Sequence, residues 1–195
     1  MTKAERTRQF IIEKAAPIFN QKGIAGTSMS DIMEATKLAK GGLYGNFESK
    51  EEICLAAFNY LTSSLAAEIG RSMDGQTTAK EKLFALLDFY KNKLFKTNHG
   101  GCPILNFGTE ADDTNPVIKQ RVKEAINNSQ SRIANIIREG YQSGEFPETF
   151  VAETFAIKMF TMIEGAILIS KVQNNNGHMI LVTDMLKAEI EQNSN

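Results

Sequence analysis

The stretch AKGGLYGNF, residues 39–47, decides the fold. Three glycines in nine residues are costly in a helix, each by about 1 kcal/mol against alanine. Yet the segments on both sides are strongly helical in pattern. The missing side chains therefore need a reason outside local stability.

The flanks supply it. Upstream, GTSMSDIMEATKL at 26–38 offers Thr27 or Ser28 as an N-cap, and Ser28 with Asp31 three residues on has the form of a capping box. A two-turn helix over Met29–Thr36 follows, with Ile32 and Ala35 inward. Lys37 and Leu38 fall in a tight turn, Leu38 plugging the core. A second short helix is predicted over Lys40–Phe47, with Leu43 and Phe47, four apart, as its inward anchors. Ser49 then caps a longer helix, Lys50 to Ile69, whose Ile53, Ala57, Tyr60, Leu61 and Leu65 form one stripe. Before all of these, Ile11, Ile12, Ala15, Ile18 and Phe19 recur at helical spacing. They predict a first helix from about Thr2 to Lys22, ended at Gly23 and bent at Pro17.

Three helices thus precede about residue 48, the second and third joined by a tight turn. That is the layout of a helix-turn-helix, whose second helix enters the major groove N-terminus first. In this setting Gly41, Gly42 and Gly45 bare one end and face of the short helix, so its backbone can approach a surface closely. Lys40 offers charge for phosphate or guanine, Tyr44 a ring and a hydroxyl, and Asn46 a hydrogen-bonding edge. Lys50, at the start of the next helix, suits a phosphate. A flexible Gly-rich loop is the plain alternative. A nucleotide-phosphate loop is excluded, because no strand precedes the stretch and neither GxGxxG nor GxxxxGK[ST] is present.

Charge points the same way. The net charge is −1, but residues 1–50 carry eight Lys/Arg against five Asp/Glu and the remainder 14 against 18. A basic first quarter on an acidic body suits a polyanionic partner. The opening MTKAERTRQF has no apolar core of a signal peptide, and the most apolar run, Phe155 to Ile169, is interrupted by Lys158 and Glu164. A cytoplasmic chain with no membrane partner is expected. Cys54 and Cys102 form neither a disulfide framework nor a zinc spacing, so no metal and no cofactor is expected.

TSMSDIMEATKLAKGGLYGNFESKEEI, residues 27–53, strongly resembles the DNA-binding segment of the TetR/AcrR family of transcriptional regulators. The likeness rests on Thr27-Ser28, Ile32, Ala35, Lys40-Gly41, Leu43-Tyr44, Phe47 and Ser49-Lys50-Glu51-Glu52. FNQKGIAGTS, before it, resembles the end of the family's first helix. The resemblance implies an all-α fold: a helix-turn-helix domain over 1–48, then a ligand-binding and dimerisation domain over 49–195, with helix 49–70 as connector. It implies Thr27, Ser28, Lys40, Gly41, Gly42, Tyr44, Asn46 and Lys50 as contacts to a double-stranded operator. Three positions depart from the family. Lys37 stands where glycine is usual and must turn left-handed, Ala39 replaces the usual Ser or Thr cap, and Asn46 replaces a frequent His.

Beyond about residue 75 the resemblance fades to a helical pattern, returning over Ile137–Phe146. The last two helices are apolar on more than one face. By resemblance they form a two-fold interface, with Phe155, Met159, Gly165, Ile169 and Met185 as candidates in a homodimer. Phe84, Phe89, Phe107 and Met162 could line an apolar effector pocket, with His99, Glu110 and Glu164 as polar markers. Glu164, a carboxylate on an apolar stripe, requires a partner. Cys102 opens a helix after HGG, which raises an electrophile- or oxidant-sensing thiol as an alternative; a buried structural cysteine is the default. The leading expectation is a repressor released from a palindromic operator by a largely apolar small molecule. An enzyme is the runner-up class, but His99, Glu110, Asp112 and Asp113 are too scattered for a ligand set, and no nucleophile–base pair is apparent.

Overall fold

In the computed structural model, which describes residues 1–94 and 100–195, several helices start where a side chain can accept their first free amides. Thr2, Ser28 and Thr78 each cap a helix, with Glu5, Asp31 and Glu81 returning a bond to the cap backbone. Asn115 accepts the N–H of Ile118 at 3.0 Å and starts another. Among the described residues the elements are α1 (Lys3–Gly26), α2 (Met29–Thr36), α3 (Lys40–Tyr44), α4 (Lys50–Ser72), α5 (Ala79–Phe89), α6 (Pro103–Ala111), α7 (Pro116–Ser143), α8 (Ala152–Val172) and α9 (Gly177–Gln192). A π-helical turn, Tyr90–Leu94, extends α5. The fold is all-α, as expected.

The chain divides into two compact units. The first comprises Met1–Ala66 with Pro103–Val122, the second Ala67–Cys102 with Lys123–Asn195. Helices α4 and α7 therefore each run from one unit into the other.

In the first unit α1 packs on α2 and α6. Ile11, Ala15, Ala16 and Phe19 are buried, while Ile12 and Ile18 are only half-buried. Regular geometry breaks at Gly23 (φ 81°), not at Pro17. Helix α2 has the expected bounds. Lys37 is left-handed at φ 58°, as the turn requires. Helix α3 is shorter than expected, five residues ending at Tyr44; Asn46 and Phe47 fold back onto the Leu43 carbonyl. Leu43 and Phe47 are buried. Leu38, expected in the core, is half-buried. Helix α4 buries Ile53, Cys54, Ala57 and Phe58. It is long and apolar enough to cross a membrane by length and composition, yet this face of it belongs to a packed core.

In the second unit α5 and α8 pack on α9. Leu83, Leu86, Leu87, Phe155, Met159, Ile163 and Leu186 are among its buried residues. Phe146, Phe150 and Phe155 pack ring against ring in series, edge-on and tilted. Glu145 caps the start of α5, accepting the amides of Ala79 and Lys80 at 3.1 Å each.

Candidate nucleic-acid interface and effector cavity

The tip of the first unit is set by α3. Its N-cap, Ala39, makes no side-chain bond, so the first amides of the helix remain available to an anion. Lys40 and Gly41 are exposed, and no atom would meet a Cβ placed at Gly41. Tyr44 is 45% exposed, with the Lys40 ammonium 5.7 Å from its ring centre. Ser28, at the start of α2, is exposed as well. Lys40, Gly41 and Tyr44 thus face outward on one short helix whose Leu43 is fully buried.

The other expected contacts are engaged within the fold. Thr27 is buried, its hydroxyl donating to the Gly23 carbonyl at 2.6 Å. Asn46 Nδ2 donates to the Gly42 carbonyl at 2.8 Å. Lys50 Nζ donates to the carbonyls of Ile24 (2.9 Å) and Thr27 (3.0 Å), tying the α1–α2 connection to α4. Gly42 lies half-buried beside Leu38, whose Cβ would stand 3.5 Å from a Cβ placed at Gly42.

A residue the sequence pattern did not single out binds this region together. Arg8 of α1 lies over the Phe47 ring at 3.9 Å. One nitrogen donates to the Asn46 carbonyl and the other to Glu52 Oε1 at 2.5 Å. The Arg8 bond, and after it the Glu48 amide, holds the Glu52 carboxyl below its ordinary range. At the α1–α2 corner Lys22 meets Asp31 at 2.5 Å. That bond, with the Ser28 hydroxyl and amide, holds the Asp31 carboxyl well below the usual range. Nothing in the spacing of Arg8 marks it, because its partners lie 38 and 44 residues away.

Glu110 also belongs to the first unit. Its carboxylate accepts the amides of Ile24 and Ala25, each at 3.0 Å, and so caps the turn restarted after Gly23. A Cβ at Gly23 would stand 2.0 Å from Glu110 Oε1, so only glycine admits this approach. Phe107 stacks on Phe58 in the same unit, centroids 5.1 Å apart. Glu164 lies in the second unit.

There Glu164 is 8% exposed and accepts a bond from the Cys102 thiol at 3.1 Å. Its second oxygen has no hydrogen-bond partner among the described residues. Burial pushes its carboxyl up to about 7, against the smaller opposite pull of the Cys102 bond. Burial likewise raises the Tyr90 phenol well above its usual range, and Cys102 and Glu164 add to the rise. Beside them Ile69, Leu86, Tyr90, Arg132, Met159 and Phe160 are among the residues around a cavity of about 20 Å³, room for a single water. Arg132 also borders an open cleft of about 460 Å³ with Asn128, Asn135 and Lys82. Of the other expected pocket residues, Phe89 is buried against Tyr90. Phe84 is half-buried, with Lys80 and Lys187 over its ring, and Met162 is half-buried. His99 lies outside the described residues. Cys54, in the first unit, is an inert packing thiol, pushed up to about 12 by burial.

The outer side of α8 and α9 is apolar. Ile157, Leu168, Ile169 and Val172 on α8, and Ile180, Leu181 and Met185 on α9, are exposed, Val172 to 75%. Phe155 and Met159, expected on this face, point into the core at 2% and 0% exposure; at 3.6 residues per turn they lie on the side of α8 nearly opposite Ile157 and Leu168. A Cβ at Gly165 would meet no atom within 4 Å.

Comparison with known proteins agrees with this arrangement. Residues 11–57 match the family model described as bacterial regulatory proteins, tetR family, and residues 79–186 match the one described as tetracyclin repressor-like, C-terminal domain. A TetR-family transcriptional regulator from Cytophaga hutchinsonii is 37% identical with a TM-score of 0.92, covering 100% of this chain and 98% of the other. One from Chloroflexus aurantiacus is 33% identical with a TM-score of 0.94 and the same coverage. Among curated relatives, the HTH-type transcriptional repressor DhaR of a Mycobacterium species is 25% identical over 86% of this chain and 84% of its own length.

Proposed function

Since the chain belongs to the TetR family of transcriptional regulators, and is not an enzyme, we propose that it is a repressor. It binds a palindromic operator as a homodimer and releases it when a small molecule enters the second unit. Regulators of this family bind DNA and act as dimers with small-molecule effectors. The observation that carries the reading here is the bare tip of α3: Lys40, Gly41 and Tyr44 outward, Leu43 and Phe47 inward.

Dimerisation is supported by the apolar stripe of α8 and α9. A glycine inside a helix costs about 1 kcal/mol, and Gly165 gains nothing from its own fold in return. Its use is the close approach of a second helix. Two copies joined there would present two recognition helices to a duplex, whose half-sites repeat at about 34–36 Å.

The effector is largely apolar with one polar group. Isoleucine, leucine, methionine and phenylalanine dominate the cavity wall, and Tyr90, within electrostatic reach of the Glu164–Cys102 pair, is among its polar groups. A site for a small molecule needs a few hundred Å³, so binding must reopen the cavity, and the Arg132 cleft is the way in. Because α4 and α7 continue from one unit into the other, a ligand favouring an opened second unit would disfavour the DNA-competent state by its difference in affinity. Sensing through the Cys102 thiol is the weaker reading: the residue is 1% exposed and its S–H donates a hydrogen bond to Glu164 Oε1.

The test is footprinting on DNA upstream of its own coding sequence, followed by a screen for compounds that release it. A protected palindrome supports the proposal; no protection at any salt concentration removes it.

A further inference from the structure

We propose that Arg8 is a positioning residue for DNA reading: it fixes the exit of the recognition helix and does not itself contact the duplex. The inference rests on the reading of residues 1–48 as a DNA-reading head.

Helix α3 cannot set its own direction. It has five residues, two of them glycine, and its N-cap makes no side-chain bond. A helix so short is not stable by itself, so its orientation must come from outside. Leu43 and Phe47 anchor it from beneath. Arg8 acts from behind, where its planar guanidinium makes three contacts at once. It lies on the Phe47 ring at 3.9 Å, donates to the Asn46 carbonyl, and donates to Glu52 Oε1 at 2.5 Å. Glu52 extends the hold, its other oxygen accepting the Glu48 amide at 2.7 Å. The Glu52 amide in turn donates to the Ser49 hydroxyl at 3.1 Å. Residues 46–52, most of the connection from α3 to α4 and the first turn of α4, are thereby pinned to α1. A lysine keeps the charge but has neither the fork nor the flat face. The cation in this place is used for its shape.

Charge and shape predict different results. The full-length protein is used to select a duplex from random-sequence DNA. Affinity for that duplex and for a mixed-sequence duplex is then measured over a salt series for wild type, Arg8→Lys, Arg8→Met and Glu52→Gln, each checked by circular dichroism. Arg8→Lys is expected to weaken the selected duplex roughly tenfold. The mixed-sequence duplex and the salt slope should stay unchanged. Glu52→Gln is expected to weaken it too, although removing an anion near a polyanion should by charge alone tighten binding. If Arg8→Lys weakens both duplexes equally and lowers the slope by about one, Arg8 is a phosphate contact and the inference fails. It fails equally if Glu52→Gln binds more tightly. Should the Arg8 variants not fold, Glu52→Gln alone decides. A wild type that selects no duplex would bring down the reading-head premise and this inference with it. A working wild type with indifferent variants overturns only the role of Arg8.

Discussion

Cys102 and Glu164, 62 residues apart, meet inside the second unit with the thiol donating to Oε1 at 3.1 Å. The other carboxyl oxygen has no hydrogen-bond partner among the described residues. A carboxylate buried in this way is costly, and the group holds its proton up to about pH 7 for that reason. The unfolded chain releases the same proton near the ordinary carboxylate value. Between the two values the folded state binds more protons, so stability falls as pH rises from about 4.5 to about 7 and levels off above. Glu164→Gln should flatten that slope, by up to about 3 kcal/mol across the window. Urea melts of both proteins at pH 5 and pH 8 measure it; identical pH dependence in both would remove the assignment.

Gly23 and Glu110 form a second coupled pair. Gly23→Ala places a methyl 2.0 Å from the Glu110 oxygen and forces a left-handed alanine at φ 81°. The variant should lose more than about 1 kcal/mol of stability. Glu110→Ala relieves the clash but leaves the Ile24 and Ala25 amides without their acceptor. The two substitutions should therefore be non-additive, the double variant losing less than the sum. Additive losses in a double-mutant cycle would mean that the two residues do not interact.

Lys40 and Lys50 differ in what surrounds them. Lys40 is exposed on α3, so Lys40→Ala should weaken DNA binding and lower the salt slope by about one, with the melting temperature unchanged. Lys50 already gives two N–H groups to the Ile24 and Thr27 carbonyls. Lys50→Ala should weaken DNA binding and also lower the melting temperature, because it strands two carbonyls. Thermal melts beside salt-dependent gel shifts separate the two roles. A Lys50→Ala protein as stable as wild type would leave the lysine with a purely DNA-facing role.

These cases show which features were legible in the sequence. Helix α2 was readable to the residue because Ser28 and Asp31, three apart, mark its start, and Lys37 left it no room to continue. The left-handed turn at Lys37 followed from the family resemblance, in which glycine usually holds that position. Arg8, Glu110 and Lys50 were not readable in their actual roles. Each satisfies backbone groups 23 to 86 residues away, and no local spacing encodes such a bond. Phe155 and Met159 were misdirected for another reason. Helix α8 is apolar nearly all round, so hydrophobicity does not say which stripe faces its own core and which is left outside.

The outer stripe of α8 and α9 makes a prediction about assembly. Leu168 and Leu181 are exposed to 50% and 60%, so replacing both with Asp should cost the isolated fold little. In a two-fold interface the new charges would be buried without partners. The wild type should sediment as a dimer at micromolar concentration and the double variant as a monomer with an unchanged circular dichroism spectrum. Operator affinity should fall steeply with dimer loss, since one recognition helix reads only one half-site. A monomeric wild type would exclude this face as the interface.

Lys37 offers a test whose sign runs against the usual effect of glycine. Its backbone sits at φ 58°, ψ 22°, which costs a non-glycine residue about 1–2 kcal/mol. Lys37→Gly removes that strain and gives back about 0.5–1 kcal/mol in unfolded-chain entropy, so a net stabilisation of about 0.5 kcal/mol is expected. Lys37→Ala removes the same exposed charge but keeps the strain, and should leave stability nearly unchanged. Denaturant midpoints for the two variants decide between backbone and charge. If both substitutions stabilise the protein equally, the gain comes from the lost lysine, and the left-handed turn stores no strain.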